Sequence, residues 1–108
     1  MDNLPVIVAY ARSPIGRAGG LLAKVRPDDL AANVIRGLLK KIPKLDPYDI
    51  DEVILGCAYP EAEQGFNIAR VAALLAGLPY MVAGQTVSRL CGSGLDAVIH
   101  GCAKIACG

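Results

Sequence analysis

Two kinds of apolar spacing alternate along the chain. Val6-Ile7-Val8-Ala9-Tyr10 and Val53-Ile54-Leu55-Gly56-Cys57-Ala58 are near-continuous apolar runs, the pattern of strands covered on both faces. A third run, Val82 to Leu90, mixes apolar with polar residues and predicts a further strand. The stretches between and after these runs carry helical spacing. In Pro27 to Ile42 a proline suits the first helical position, Asp28 and Asp29 fall in the first turn, and Lys40 and Lys41 in the last. These charges complement the helix dipole, and Pro43 ends the helix. Leu30, Val34, Leu38 and Ile42 give it an apolar stripe. A second helix, about Asn67 to Ala76, starts on Asn and stops at Gly77-Leu78-Pro79. It is apolar on every side apart from Arg70 and is expected to be buried on most faces. A third, Ser93 to Cys107, sets Asp96, His100 and Lys104 on a polar stripe, with Leu95, Val98, Ile99, Cys102 and Ile105 elsewhere and Gly108 as its stop.

Strand and helix alternating three times predicts an α/β fold of βαβαβα order with mainly parallel strands. Three parallel strands leave unpaired edges, and two nearly all-apolar helices have too little partner surface to cover them. The chain therefore reads as the opening of a larger α/β protein, incomplete at its C-terminus, with residues 1–108 forming part of one N-terminal domain.

Composition narrows the function. With 108 residues, 54% of them apolar and 19% charged, the chain is too hydrophobic to be disordered. Eleven basic residues against ten acidic argue against nucleic-acid binding. The charge is nevertheless uneven: residues 1–45 carry eight basic and three acidic side chains, and residues 46–108 carry three and seven. The uncharged run Val71 to Ser88 approaches membrane-spanning length, but Gly77-Leu78-Pro79, Gly84, Gln85, Thr86 and Ser88 break it into helix, turn and strand. No membrane association is expected. The first residues, Met1-Asp2-Asn3-Leu4-Pro5, lack the basic and apolar regions of a signal peptide. A cytoplasmic location with four reduced cysteines is the expectation.

Chemistry concentrates where the third strand pattern meets the third helix, at Leu90-Cys91-Gly92-Ser93-Gly94. A thiol at that junction faces the positive end of a helix dipole and free backbone N–H groups. Both favour the thiolate, and such sites lower a cysteine pKa from ~8.5 to roughly 3.5–7.5. Gly92 and Gly94 strip side chains from the turn, so a carbonyl can approach both the sulfur and the amides. Cys91 is the candidate nucleophile and Gly92 a candidate substrate-binding position. The same turn also fits a small buried cysteine with no chemistry. A third reading is the dinucleotide fingerprint, because Gly92-Ser93-Gly94-Leu95-Asp96-Ala97 matches G-x-G-x-x-[GA]. That fingerprint normally opens the first βα unit, whereas this one lies in the third, and the acidic residue expected about twenty positions later would fall beyond Gly108.

The remaining polar residues add little. His100, Cys102 and Cys107 do not share a helix face, so no metal site is expected. His100 lies nine residues from Cys91, ~13 Å along a helix, too far to serve as its base. The basic loop Arg12-Ser13-Pro14-Ile15-Gly16-Arg17 with Gly19-Gly20 lacks the Walker spacing and reads as a strand-exit loop.

Cys91-Gly92-Ser93-Gly94-Leu95, preceded by Gly84-Gln85-Thr86-Val87-Ser88-Arg89-Leu90, resembles the nucleophile segment of the thiolases. Tyr10-Ala11-Arg12-Ser13-Pro14-Ile15-Gly16, Val53 to Cys57 and Gln64-Gly65-Phe66-Asn67-Ile68-Ala69-Arg70, with the run to Pro79, resemble further family stretches in the same order. Ser88, Ser13 and Ala83 depart from the family's common Asn, Thr and Pro. The resemblance covers only the opening of a thiolase, well under half of the usual chain. It implies a two-half α/β/α layered fold and an acyltransferase in which Cys91 attacks a 3-ketoacyl-CoA, forms an acyl-enzyme and releases acetyl-CoA. Coenzyme A then takes the acyl group as a substrate, without any cofactor, and the reverse direction is a Claisen condensation. The implied context is fatty-acid oxidation by a homo-oligomer. Because the family's catalytic histidines and second cysteine belong to later segments, the chain alone is expected to be inactive. A non-catalytic fragment is the remaining alternative.

Overall fold

The computed structural model describes residues 3–108. Three α-helices and two β-strands follow in the order α1 (Pro27–Lys41), β1 (Glu52–Gly56), α2 (Ile68–Leu75), β2 (Ala83–Val87) and α3 (Ser93–Cys107). The strands pair in parallel, Glu52 opposite Ala83 and Gly56 opposite Val87, with α2 as the crossover. The α/β class and the parallel pairing agree with the sequence, and every helix boundary lies within one or two residues of its expected place.

Val6–Tyr10 is the exception, because it forms no strand. Val6, Ile7, Val8 and Tyr10 are exposed, and the segment is held by the Lys41 ammonium, which donates to the Tyr10 carbonyl at 2.8 Å and lies 5.2 Å from its ring centroid. A strand exists only where a neighbour supplies ladder partners for its N–H and C=O groups. The apolar run records a surface suited to burial, and among the described residues no strand pairs with it. The observed order is therefore αβαβα rather than βαβαβα.

The core is small. Ala73, Leu78 and Val82 are buried together, and Ile35, Leu39, Ile50 and Val53 pack on them. On α1, Ala32 is buried and the partly buried Ile35 and Leu39 pack on this core, while the expected Leu30–Val34–Leu38–Ile42 line is partly buried beside them. On the facing helix the contact surface is mostly alanine. Ile68, Ala69, Ala72 and Ala73 form the inward face of α2, while Leu74 and Leu75 stay about half exposed.

Two glycines set how closely helices approach the sheet. A Cβ at Gly84 would lie 2.5 Å from the backbone nitrogen of Arg70, so α2 lies directly against β2. A Cβ at Gly56 would lie 2.4 Å from the carbonyl carbon of Ser93, so the start of α3 sits on the end of β1. Asn67 precedes α2 in left-handed geometry (φ 60°) without capping it. Its amide donates to the Gly84 carbonyl at 2.8 Å, and its side-chain oxygen accepts from the Thr86 hydroxyl at 2.6 Å. Thr86 in turn accepts the Ala69 N–H at 3.2 Å, so β2 supplies the cap for α2.

At the start of α1, Arg26 grips Asp28 with two hydrogen bonds of 2.9 and 3.1 Å and reaches Glu63 at 3.5 Å. The hydrogen bond from Arg26, joined by the Asp29 N–H, holds the Asp28 carboxyl below the ordinary aspartate range, against the opposing effect of desolvation. The folded state thus prefers the ionised form. Its stabilising contribution is present above the unfolded pKa of about 3.9 and is lost as pH falls through the lower folded value. Asp28→Asn is expected to lower the thermal midpoint near neutral pH, with the gap to wild type closing below pH about 3.9. Melting curves across that range check the sign.

Candidate active site

The backbone runs out of β2 at Val87 and enters α3 at Ser93 through one turn of 3-10 helix, Leu90–Gly92. Cys91 occupies the middle of that turn and is exposed, whereas Cys57 is buried, Cys102 intermediate and Cys107 exposed at the far end of α3. None of the four is in a disulfide. Among the described residues no side chain hydrogen-bonds the Cys91 thiol. The sulfur is free, at the end of α3 where the first backbone N–H groups lack helical partners.

The turn is strained and held. Leu90 has φ 51°, a left-handed conformation that costs a residue with a Cβ about 1–2 kcal/mol. The Gly92 N–H closes the turn on the Arg89 carbonyl at 3.1 Å. The Ser93 side chain, in a residue only 3% exposed, accepts the Arg89 N–H at 2.8 Å and donates to the Leu90 carbonyl at 2.6 Å. Gly92 itself takes φ −88° and ψ 2°, and a Cβ there would meet nothing within 4 Å. The open space beside Cys91 is therefore not filled by the fold. A shallow concavity lined by Arg89, Gly92, Leu95, Asp96 and Ile99 adjoins the turn.

Polar residues nearby are tied to one another and not to the sulfur. Arg89 Nη1 lies 3.4 Å from Asp96 Oδ1, Asp96 Oδ2 lies 3.4 Å from His100 Nε2, and His100 Nδ1 lies 2.9 Å from the Gln85 side-chain nitrogen. This string links β2, the turn and α3. His100 Nδ1 is engaged by Gln85 and Nε2 lies beside Asp96, so the ring of the chain's single histidine is directed at these two residues. The polar stripe of α3 continues with Lys104, which is paired with Glu52 of β1. Among the described residues no cluster of three or more His, Cys, Asp or Glu side chains converges as for a metal ion. The basic Arg12–Gly20 loop curls around its own concavity, lined by Pro14 to Arg17 and Gly19 to Leu22, which shares no residue with the Cys91 turn.

An exposed, unbonded thiol between a parallel strand and a helix N-terminus is the arrangement expected of a nucleophile segment. Comparison with known proteins settles the family: the model of the thiolase N-terminal domain matches residues 5–108. The chain belongs to the thiolase family. It is 60% identical over 87 residues to the 3-oxoadipyl-CoA/3-oxo-5,6-dehydrosuberyl-CoA thiolase of Escherichia coli K12, covering 81% of this chain and 22% of that protein. It is 52% identical over its full 108 residues to the beta-ketoadipyl-CoA thiolase of Pseudomonas aeruginosa PAO1, covering 27% of that protein. Identity to the 3-ketoacyl-CoA thiolase of Pseudoalteromonas translucida is 48% over 103 residues, 94% of this chain and 26% of that one. The chain thus spans about a quarter of the length of these thiolases.

Two features of this thiolase segment were not read from the sequence. The Ser93 hydroxyl was seen only as part of a helix start, although a serine four residues after Arg89 and three after Leu90 has the spacing of a local side-chain-to-backbone clasp. Gly56 was read as one more residue of an apolar strand, although a glycine inside a strand pattern signals close backbone approach. One consequence is testable at His100. A catalytic base contributes at least about a hundredfold, so His100→Gln is expected to leave the alkylation rate of Cys91 near wild type. A loss of that size would contradict the placement of His100 against Gln85 and Asp96.

Proposed function

We propose that the protein is a thiolase-type acyltransferase in which Cys91 carries the acyl group. The observation that carries this reading is the exposed, unbonded Cys91 thiol in the turn between β2 and α3. Family membership supports it, and it favours acyl transfer over dinucleotide binding for the Gly92-Ser93-Gly94 turn.

In the degradative direction the Cys91 thiolate attacks the keto carbon of a 3-ketoacyl-CoA. The carbonyl π electrons move to oxygen. When they return, the bond between the keto carbon and the adjacent α-carbon breaks, and its electron pair leaves with acetyl-CoA as the enolate, which takes up a proton. The acyl group remains on sulfur as a thioester until the thiolate of coenzyme A displaces it and regenerates Cys91. Covalent capture splits one difficult carbon–carbon cleavage into two easier steps. The turn contributes the nucleophile and, at Gly92, an approach free of side chains. Among the described residues none contacts the Cys91 sulfur as an acid or base, so the proton transfers are assigned to groups outside this turn.

The substrates are 3-ketoacyl thioesters of coenzyme A, a class supported by the names of the relatives. The working form is a cytoplasmic homo-oligomer serving fatty-acid oxidation. Consistent with this, no helix among the described residues is long and apolar enough to cross a membrane. Incubation with acetyl-CoA followed by peptide mass analysis is expected to find one acetyl group on the Cys91 peptide, absent in Cys91→Ala. Acetylation elsewhere, with Cys91 unmodified, would overturn the assignment.

A further inference from the structure

Resting on the acyl-transfer reading, we propose that Ser93 is the positioning residue of the Cys91 nucleophile. The two arms of the turn around Cys91 are joined by one side chain. The Ser93 hydroxyl accepts from the N–H of Arg89, two residues before the thiol, and donates to the carbonyl of Leu90, immediately before it. Both contacts are short, at 2.8 and 2.6 Å, and Ser93 is buried, so water does not compete for them.

What the clasp holds is a backbone that would not stay in place unaided. Leu90 sits at φ 51° and is largely exposed, so no packing of its own side chain keeps it there. Ser93 is itself fixed from the other side, because its carbonyl carbon lies where a Cβ on Gly56 would be 2.4 Å away. Position passes from the end of β1 to the Ser93 backbone, from there to its hydroxyl, and then to Arg89 and Leu90. Cys91 follows these two residues, and among the described residues no side chain hydrogen-bonds its thiol. Without the hydroxyl, the Leu90 carbonyl and the Arg89 N–H lose their shared partner. Leu90 can then relax to negative φ, which changes the direction in which the backbone presents Cys91. Ser93 touches neither sulfur nor substrate in this account. It acts through the backbone.

The four cysteines make the test internal. Cys57 is buried and reports on the fold, exposed Cys107 is a reference thiol, and Cys91 is the readout. Misplacement of a reacting group by an ångström costs up to about a hundredfold. Ser93→Ala is therefore expected to reduce alkylation of Cys91, relative to Cys107 in the same molecule, by at least about tenfold, with Cys57 still protected. A structural loss alone would expose Cys57 and would not single out Cys91. Should Cys57 label in that variant, the Ser93→Thr and Ser93→Val pair decides, since the two share a shape and differ in the hydroxyl. Faster labelling of Cys91 in the threonine variant supports the clasp, and equal labelling overturns it. Wild-type Cys91 labelling no faster than Cys107 would overturn the acyl-transfer reading and this proposal with it. Fast Cys91 in both wild type and Ser93→Ala would overturn this proposal alone.

Discussion

The geometry of the site depends on one backbone-to-backbone contact, the seating of Ser93 and Gly94 on Gly56. A side chain at Gly56 would occupy the space of the Ser93 carbonyl, so α3 begins where it does only because β1 ends without a Cβ. Parallel pairing puts Gly56 beside Val87, and the Cys57 N–H extends the ladder to the Val87 carbonyl at 2.9 Å. The exit of β2 and the entry of α3 are thus referenced to the same point. The five residues between them have little freedom left, and Cys91 is one of these.

Around that contact the chain divides its polar groups by task. His100, Asp96, Arg89 and Gln85 lie in one polar string that links β2 to α3 across the turn. Ser93 spends its hydroxyl on the backbone. The sulfur is left unbonded and facing solvent, the condition under which a thiolate can attack an incoming carbonyl.

Much of this was legible in the sequence because it follows from local rules. Proline and aspartates at the start of α1, lysines and Pro43 at its end, and Gly77 after α2 mark helix ends whatever the rest of the chain does. The Cys91 junction was legible for the same reason: a strand pattern, a glycine turn and a helix pattern meet there. The residues that resisted reading depend on partners distant in sequence. Val6–Tyr10 has strand composition, yet pairing requires a neighbour that apolar spacing does not reveal. The role of Asn67 depends on Thr86 and Gly84 on the next strand. The Ser93 clasp needs Leu90 in left-handed geometry, which no propensity predicts for leucine.

The most direct test of this account is Gly56→Ala, read by urea unfolding and by competitive labelling of the four thiols. A methyl group driven into the Ser93 backbone is predicted to cost about 1–3 kcal/mol, as overpacking does, and to slow Cys91 relative to Cys107. Wild-type stability together with a wild-type labelling ratio would contradict the claim that the end of β1 positions Cys91.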